Sequence, residues 1–136
     1  MWRWGRTIKY QYIAVSDMSE AQTQGTQGVG TEDLTAFQQN ILVILSREPM
    51  YGLAIKRNLQ LYYEDEVNHG RLYPNLDDLV DAGLVEKPEL DKRTNQYALT
   101  DAGYRAIIDR LRWVFAQIVT DRARADEICA LVDAQL

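Results

Sequence analysis

His69, Arg71 and Asn75 fall in one stretch, His69-Gly70-Arg71-Leu72-Tyr73-Pro74-Asn75, and their side chains share one kind of chemistry. An arginine fork bonds guanine O6 and N7, an asparagine amide bonds adenine N6 and N7, and histidine donates or accepts according to its tautomer. Lys92 and Arg93, in the run Asp91-Lys92-Arg93-Thr94-Asn95, and Lys56 and Arg57 upstream are cations of the kind that hold phosphate. Each residue also has a plainer role. Arg71 can pair with Asp78, Asn75 can cap, His69 can sit in a turn, and the four cations can face water.

Other chemistries are poorly supplied. With one His and one Cys, the chain has no internal disulfide, no Cys-rich zinc site and no second thiol to resolve an oxidised Cys129. No arrangement of Ser, His and carboxylate and no phosphate-cradling glycine loop is present, so no catalytic residue, cofactor or metal is expected. Cys129 lies among Ile128, Leu131 and Val132 and reads as a buried structural thiol.

The charge balance opposes a simple nucleic-acid binder, because 15 basic and 20 acidic residues leave −5. The types are lopsided: 11 Arg against 4 Lys, and 12 Asp against 8 Glu. Such Lys-poor, Asp-rich usage suits concentrated salt, where hydrated carboxylates keep a protein soluble and their repulsion is screened. The longest apolar run, Ile41 to Leu45, is far too short to cross a bilayer, so a cytoplasmic chain without membrane contact is expected.

Residues 136 in number make one ordinary domain with accessories. Residues 1–30 read as a flexible tail. Its first 17 residues carry +2 from Arg3, Arg6, Lys9 and Asp17, together with Trp2, Trp4, Tyr10 and Tyr12, leaving −7 on the rest. Either translation starts at Met18, the preferred account, or these residues form a basic aromatic arm that touches DNA or a partner. A first helix is expected from an N-cap at Thr31 to about Arg47, with Leu34, Phe37, Ile41, Leu42, Ile44 and Leu45 on its apolar face. Glu48 to Gly52 reads as a turn, and a second helix follows from about Leu53 to Tyr62, burying Leu53, Ile55 or Ala54, and Leu59. The third starts near Gly70, so that Pro74 falls in its first turn, and stops at Gly83. Leu72, Leu76, Leu79 and Val80 make its buried face, with Arg71, Pro74, Asp77 and Asp78 opposite and Asn75 at the flank. Leu84 to Lys87 and Gln96 to Leu99 form a hairpin with a cationic tip. Thr100 and Asp101 then cap a long helix, and Asp121 to Leu136 continues or restarts it.

The expected fold is mainly α with a small β-hairpin: a winged helix-turn-helix over residues 31–101, then a long C-terminal dimerisation segment over residues 102–136. Residues 41–42 and 45, Pro49-Met50-Tyr51-Gly52, Gly70-Arg71-Leu72-Tyr73-Pro74-Asn75-Leu76, Ala82-Gly83-Leu84-Val85 and Tyr97-Ala98-Leu99-Thr100-Asp101-Ala102-Gly103 resemble the PadR family of transcriptional regulators in identity and spacing. The whole chain looks like a haloarchaeal member, similar to that group's regulator of the reactive-oxygen-species response. The resemblance implies a sequence-specific regulator of promoters on double-stranded DNA. Two departures bear on it. Arg71 stands where the family commonly has a small hydroxyl residue, and Asp77 and Asp78 stand where it often has a basic residue later in the helix.

Apolar positions beyond what a wing can cover, Leu111, Phe115, Ile118, Ile128 and Leu131, predict a homodimer. Two recognition helices about one DNA turn apart would read an imperfect inverted repeat. No small-molecule effector can be named from the residues. The rival reading is an acidic winged-helix adaptor in a transcription or sorting complex. Clustering of Arg71, Lys92 and Arg93 on one surface would separate the two.

Overall fold

A computed structural model describes residues 33–87 and 96–136. Helix α1, Ala36–Leu45, starts at Thr35 rather than at Thr31, which lies outside the described residues. The reason is a reciprocal cap: the Thr35 hydroxyl accepts from the Gln38 N–H at 3.1 Å, and the Gln38 side chain accepts from the Thr35 N–H at 3.1 Å. The helix buries Phe37, Ile41, Leu42 and Leu45 and ends two residues before Arg47.

The expected turn before the second helix contains a strand. Met50–Tyr51 (β1) pairs antiparallel with Gln96–Leu99 (β3), placing Met50 opposite Tyr97. Val85–Glu86 (β2) pairs with the other edge of β3, giving the order β1-β3-β2. Helix α2, Gly52–Tyr63, buries Ile55 and Leu59 completely. Leu53 is 50% exposed, contrary to expectation, because it lies on the outer side of that helix. Glu64 ends α2 in the left-handed region at φ 53°.

Helix α3, His69–Asp81, buries Leu72, Leu76 and Leu79 completely, as their spacing requires. Its N-cap is Asn68, whose side chain accepts from the Arg71 N–H at 2.8 Å. With that start Pro74 falls in the second turn, not the first. It has no N–H to offer the Gly70 carbonyl, and both residues are exposed. Gly83, at φ 76°, terminates the helix: its N–H reaches the Val80 carbonyl while the Leu84 N–H reaches that of Leu79.

Helix α4, Asp101–Ile118, is capped by Thr100, and α5, Arg122–Asp133, restarts behind Asp121, whose carboxylate accepts from the Arg124 N–H at 3.0 Å. The core gathers between α1, α2, α3 and the sheet around Ile41, Leu42, Ile55, Leu59, Val67, Leu72, Leu76, Leu79 and Val85. Helix α5 buries no residue against it. Cys129 is therefore exposed in the single chain, correcting the expectation of a buried thiol.

Candidate nucleic-acid interface

The buried leucines of α3 turn Gly70, Pro74, Asp77, Asp78 and Asp81 to the surface, and all five are exposed. The three expected recognition residues sit on the same helix but on two flanks. Toward the start of α2, the exposed His69 ring stacks on Tyr73 at 5.6 Å and 12°. Tyr73 in turn lies across Gly52, where a Cβ would come within 2.7 Å of its hydroxyl, so glycine is what lets the ring approach. Toward α1 and the end of α2, the Arg71 guanidinium stands over Phe37 at 4.1 Å from the ring centroid and over Tyr63 at 5.7 Å. Arg71 thus rests on aromatic rings instead of pairing with Asp78. Asn75, half-buried, donates its amide to the Arg71 carbonyl at 2.7 Å, which uses part of its donor capacity within the helix.

On α2, Arg57 is exposed and Lys56 half-buried. Lys92 and Arg93, at the expected hairpin tip, lie outside the described residues. The foot of the hairpin carries a cation that sequence reasoning missed: Lys87 Nζ stands 5.6 Å from the centroid of the buried Tyr97 ring. The N-terminus of α2 was missed as well. Tyr51 occupies its cap position and makes no side-chain cap hydrogen bond, and Tyr73 lies against the first turn at Gly52. Among the described residues no group of His, Cys, Asp and Glu could hold a metal ion, and no helix is long and apolar enough to cross a membrane.

The C-terminal apolar positions are open. Leu111, Phe115 and Ile118 on α4 are 42%, 39% and 42% exposed, Leu131 on α5 is 64% exposed, and Ile128 is half-buried. Trp113, half exposed beneath the Arg110 guanidinium at 4.8 Å, belongs to the same helix and was not among the expected residues.

Three helices, the third seated by three leucines behind an outward face, followed by a hairpin joined to a third short strand, define a winged helix-turn-helix protein. Residues 41–109 match the PadR-like family of transcriptional regulators, and the chain belongs to that family, whose members regulate transcription and are not enzymes. It is similar to RosR of Halobacterium salinarum, a halophilic archaeon, in a structure grown from sodium bromide: 58% identity, TM-score 0.73, covering 77% of this chain and 96% of that one. The hsRosR-SG complex is similar at 57% identity and TM-score 0.75, covering 79% and 96%. Transcriptional activator GvpE2 of Halobacterium salinarum is 32% identical over 95 residues, 68% of this chain. The chain spans about half of that curated relative's length, 48%.

Proposed function

We infer that this regulator binds double-stranded DNA sequence-specifically, as a homodimer on an imperfect inverted repeat at promoters, in the response to oxidative stress. The observation that carries the reading is α3: its apolar side is consumed by the core, so its outer side is free for a groove, flanked by His69 on one edge and by Arg71 and Asn75 on the other. Arg71 offers a donor fork to guanine with Asn75 one turn further on, His69 approaches from the opposite flank, and Lys56, Arg57, Lys92 and Arg93 contact phosphates. Leu111, Phe115, Ile118, Ile128 and Leu131 form the dimer face, supported by a helix α5 that buries none of its residues fully among the described residues. The link to oxidative stress rests on the likeness to haloarchaeal regulators alone.

One observation favours the rival, an adaptor that never grips DNA: Asp77, Asp78 and Asp81 stand on the outer side of α3. Chromatin immunoprecipitation with sequencing, with and without peroxide, decides. Enrichment at promoters around a shared inverted repeat, changed by peroxide, is expected. Enrichment without any shared motif would favour the adaptor.

A further inference from the structure

Arg71 does not leave α3 as a free side chain. The Phe37 and Tyr63 rings that its guanidinium covers are stacked on each other, 6.1 Å apart at 22°, and form a shelf built by α1 and α2 under a cation supplied by α3. The shelf is fixed on its other sides. Phe37 is 5% exposed, the Tyr63 hydroxyl accepts from Asn40 Nδ2 at 2.9 Å, and Tyr62 meets Tyr63 edge-on at 5.1 Å. Stacking occupies the face of a guanidinium and leaves its in-plane N–H groups for acceptors. None of those groups has a hydrogen-bond or ion-pair partner among the described residues, although Arg71 is exposed. A cation held by its face with its edge unused is arranged for a ligand that presents two acceptors.

We propose that Phe37 and Tyr63 are positioning residues for DNA recognition, holding Arg71 so that paired acceptors, guanine O6 and N7 or two phosphate oxygens, meet a preassembled fork. The inference rests on the reading that Arg71 contacts DNA. Its physical basis is entropy: a free arginine gives up many rotamers on binding, whereas a stacked one has given them up beforehand. The core does not need this contact to seat α3, because Leu72, Leu76 and Leu79 already do so.

The test is a double-mutant cycle read by DNA affinity, using the duplex most enriched in chromatin immunoprecipitation and a shuffled duplex of the same composition. Tyr63→Leu is expected to weaken binding about 3- to 10-fold, the size of one side chain's ordering cost. Tyr63→Phe, which keeps the ring, should stay within about twofold of the unmodified protein. In an Arg71→Ala background Tyr63→Leu should have no further effect. Phe37→Leu should behave as Tyr63→Leu; where loss of the buried ring prevents folding, the half-buried Tyr63 carries the test, with thermal unfolding recorded for every variant. Equal losses from Tyr63→Leu in both backgrounds, or none with Arg71 intact, would overturn the inference. If Arg71→Ala itself leaves both duplexes bound as before, the reading of Arg71 as a DNA contact fails first. A loss confined to the enriched duplex assigns the fork to a base, and an equal loss on both assigns it to phosphate.

Discussion

Gly103 lies directly against the backbone of Leu84, so that a Cβ at Gly103 would overlap the Leu84 carbonyl oxygen and press on Leu99. This is the joint between α3 and α4. Thr100 locks it: its N–H donates to the Leu84 carbonyl at 3.1 Å, its hydroxyl donates to the Gly83 carbonyl at 2.8 Å and accepts from the Gly103 N–H at 3.0 Å. The α3 stop, the first wing strand and the start of α4 therefore share one set of bonds. Because the obstacle is backbone, not a flexible side chain, Gly103→Ala should destabilise the fold by about 3 kcal/mol. Denaturant unfolding checks this, and an unchanged midpoint would contradict the close packing.

Arg71→Ala is expected to relax preference at one base position and to cost about 1 to 3 kcal/mol on the cognate site, the range for losing a bidentate base contact. Competition titrations with single-base substituted duplexes measure it. Equal losses on cognate and random DNA would make Arg71 a phosphate contact, which its place on the α1 flank of α3 would also allow.

What could be read from residues alone divides along physical lines. Leu72, Leu76 and Leu79 announced α3 because a helix repeats its buried face locally, and Gly83 announced the stop because few residues adopt φ 76° cheaply. Strand β1 was hidden: two residues between Pro49 and Gly52 have no alternation to show, and their partner Gln96-Tyr97 is remote in sequence. Thr31 and Thr35 are equal as hydroxyl caps; the Gln38 side chain returning to Thr35 decides between them. Periodicity places Arg71 at an angle on α3 but says nothing of which way a long side chain folds, so its aromatic shelf was not legible. Cys129 was misread for a related reason. Its apolar neighbours imply burial, but no residue of α5 is fully buried among the described residues.

The exposed apolar positions of α4 and α5 carry the next expectation. Ile118→Glu and Ile128→Glu each place an unpaired carboxylate in the proposed dimer face, where desolvation costs several kcal/mol. Both variants should sediment as monomers and bind a two-half-site duplex at least about tenfold more weakly, since linking two sites supplies effective concentration that a monomer lacks. A dimer mass retained in both would place the interface elsewhere.

The outward carboxylates of α3 make the salt dependence of binding diagnostic. Conventional regulators release about 0.9 counterion per phosphate contact, so their affinity collapses as salt rises. Here Asp77 and Asp78 are exposed on the side of α3 away from its buried leucines, with Glu64, Asp65 and Glu66 exposed just ahead of it. Bringing phosphate near them requires cations to be taken up between the two sets of charges, which offsets release at Arg71, Lys92 and Arg93. Affinity then rests on base contacts and DNA shape more than on counterion release. The expected slope of log affinity against log salt is shallow or positive for the unmodified protein and more steeply negative for Asp77→Asn/Asp78→Asn. Titrations from low to molar potassium chloride measure both slopes. An unmodified slope like that of basic regulators, identical in the double variant, would show that these carboxylates stand clear of the bound DNA.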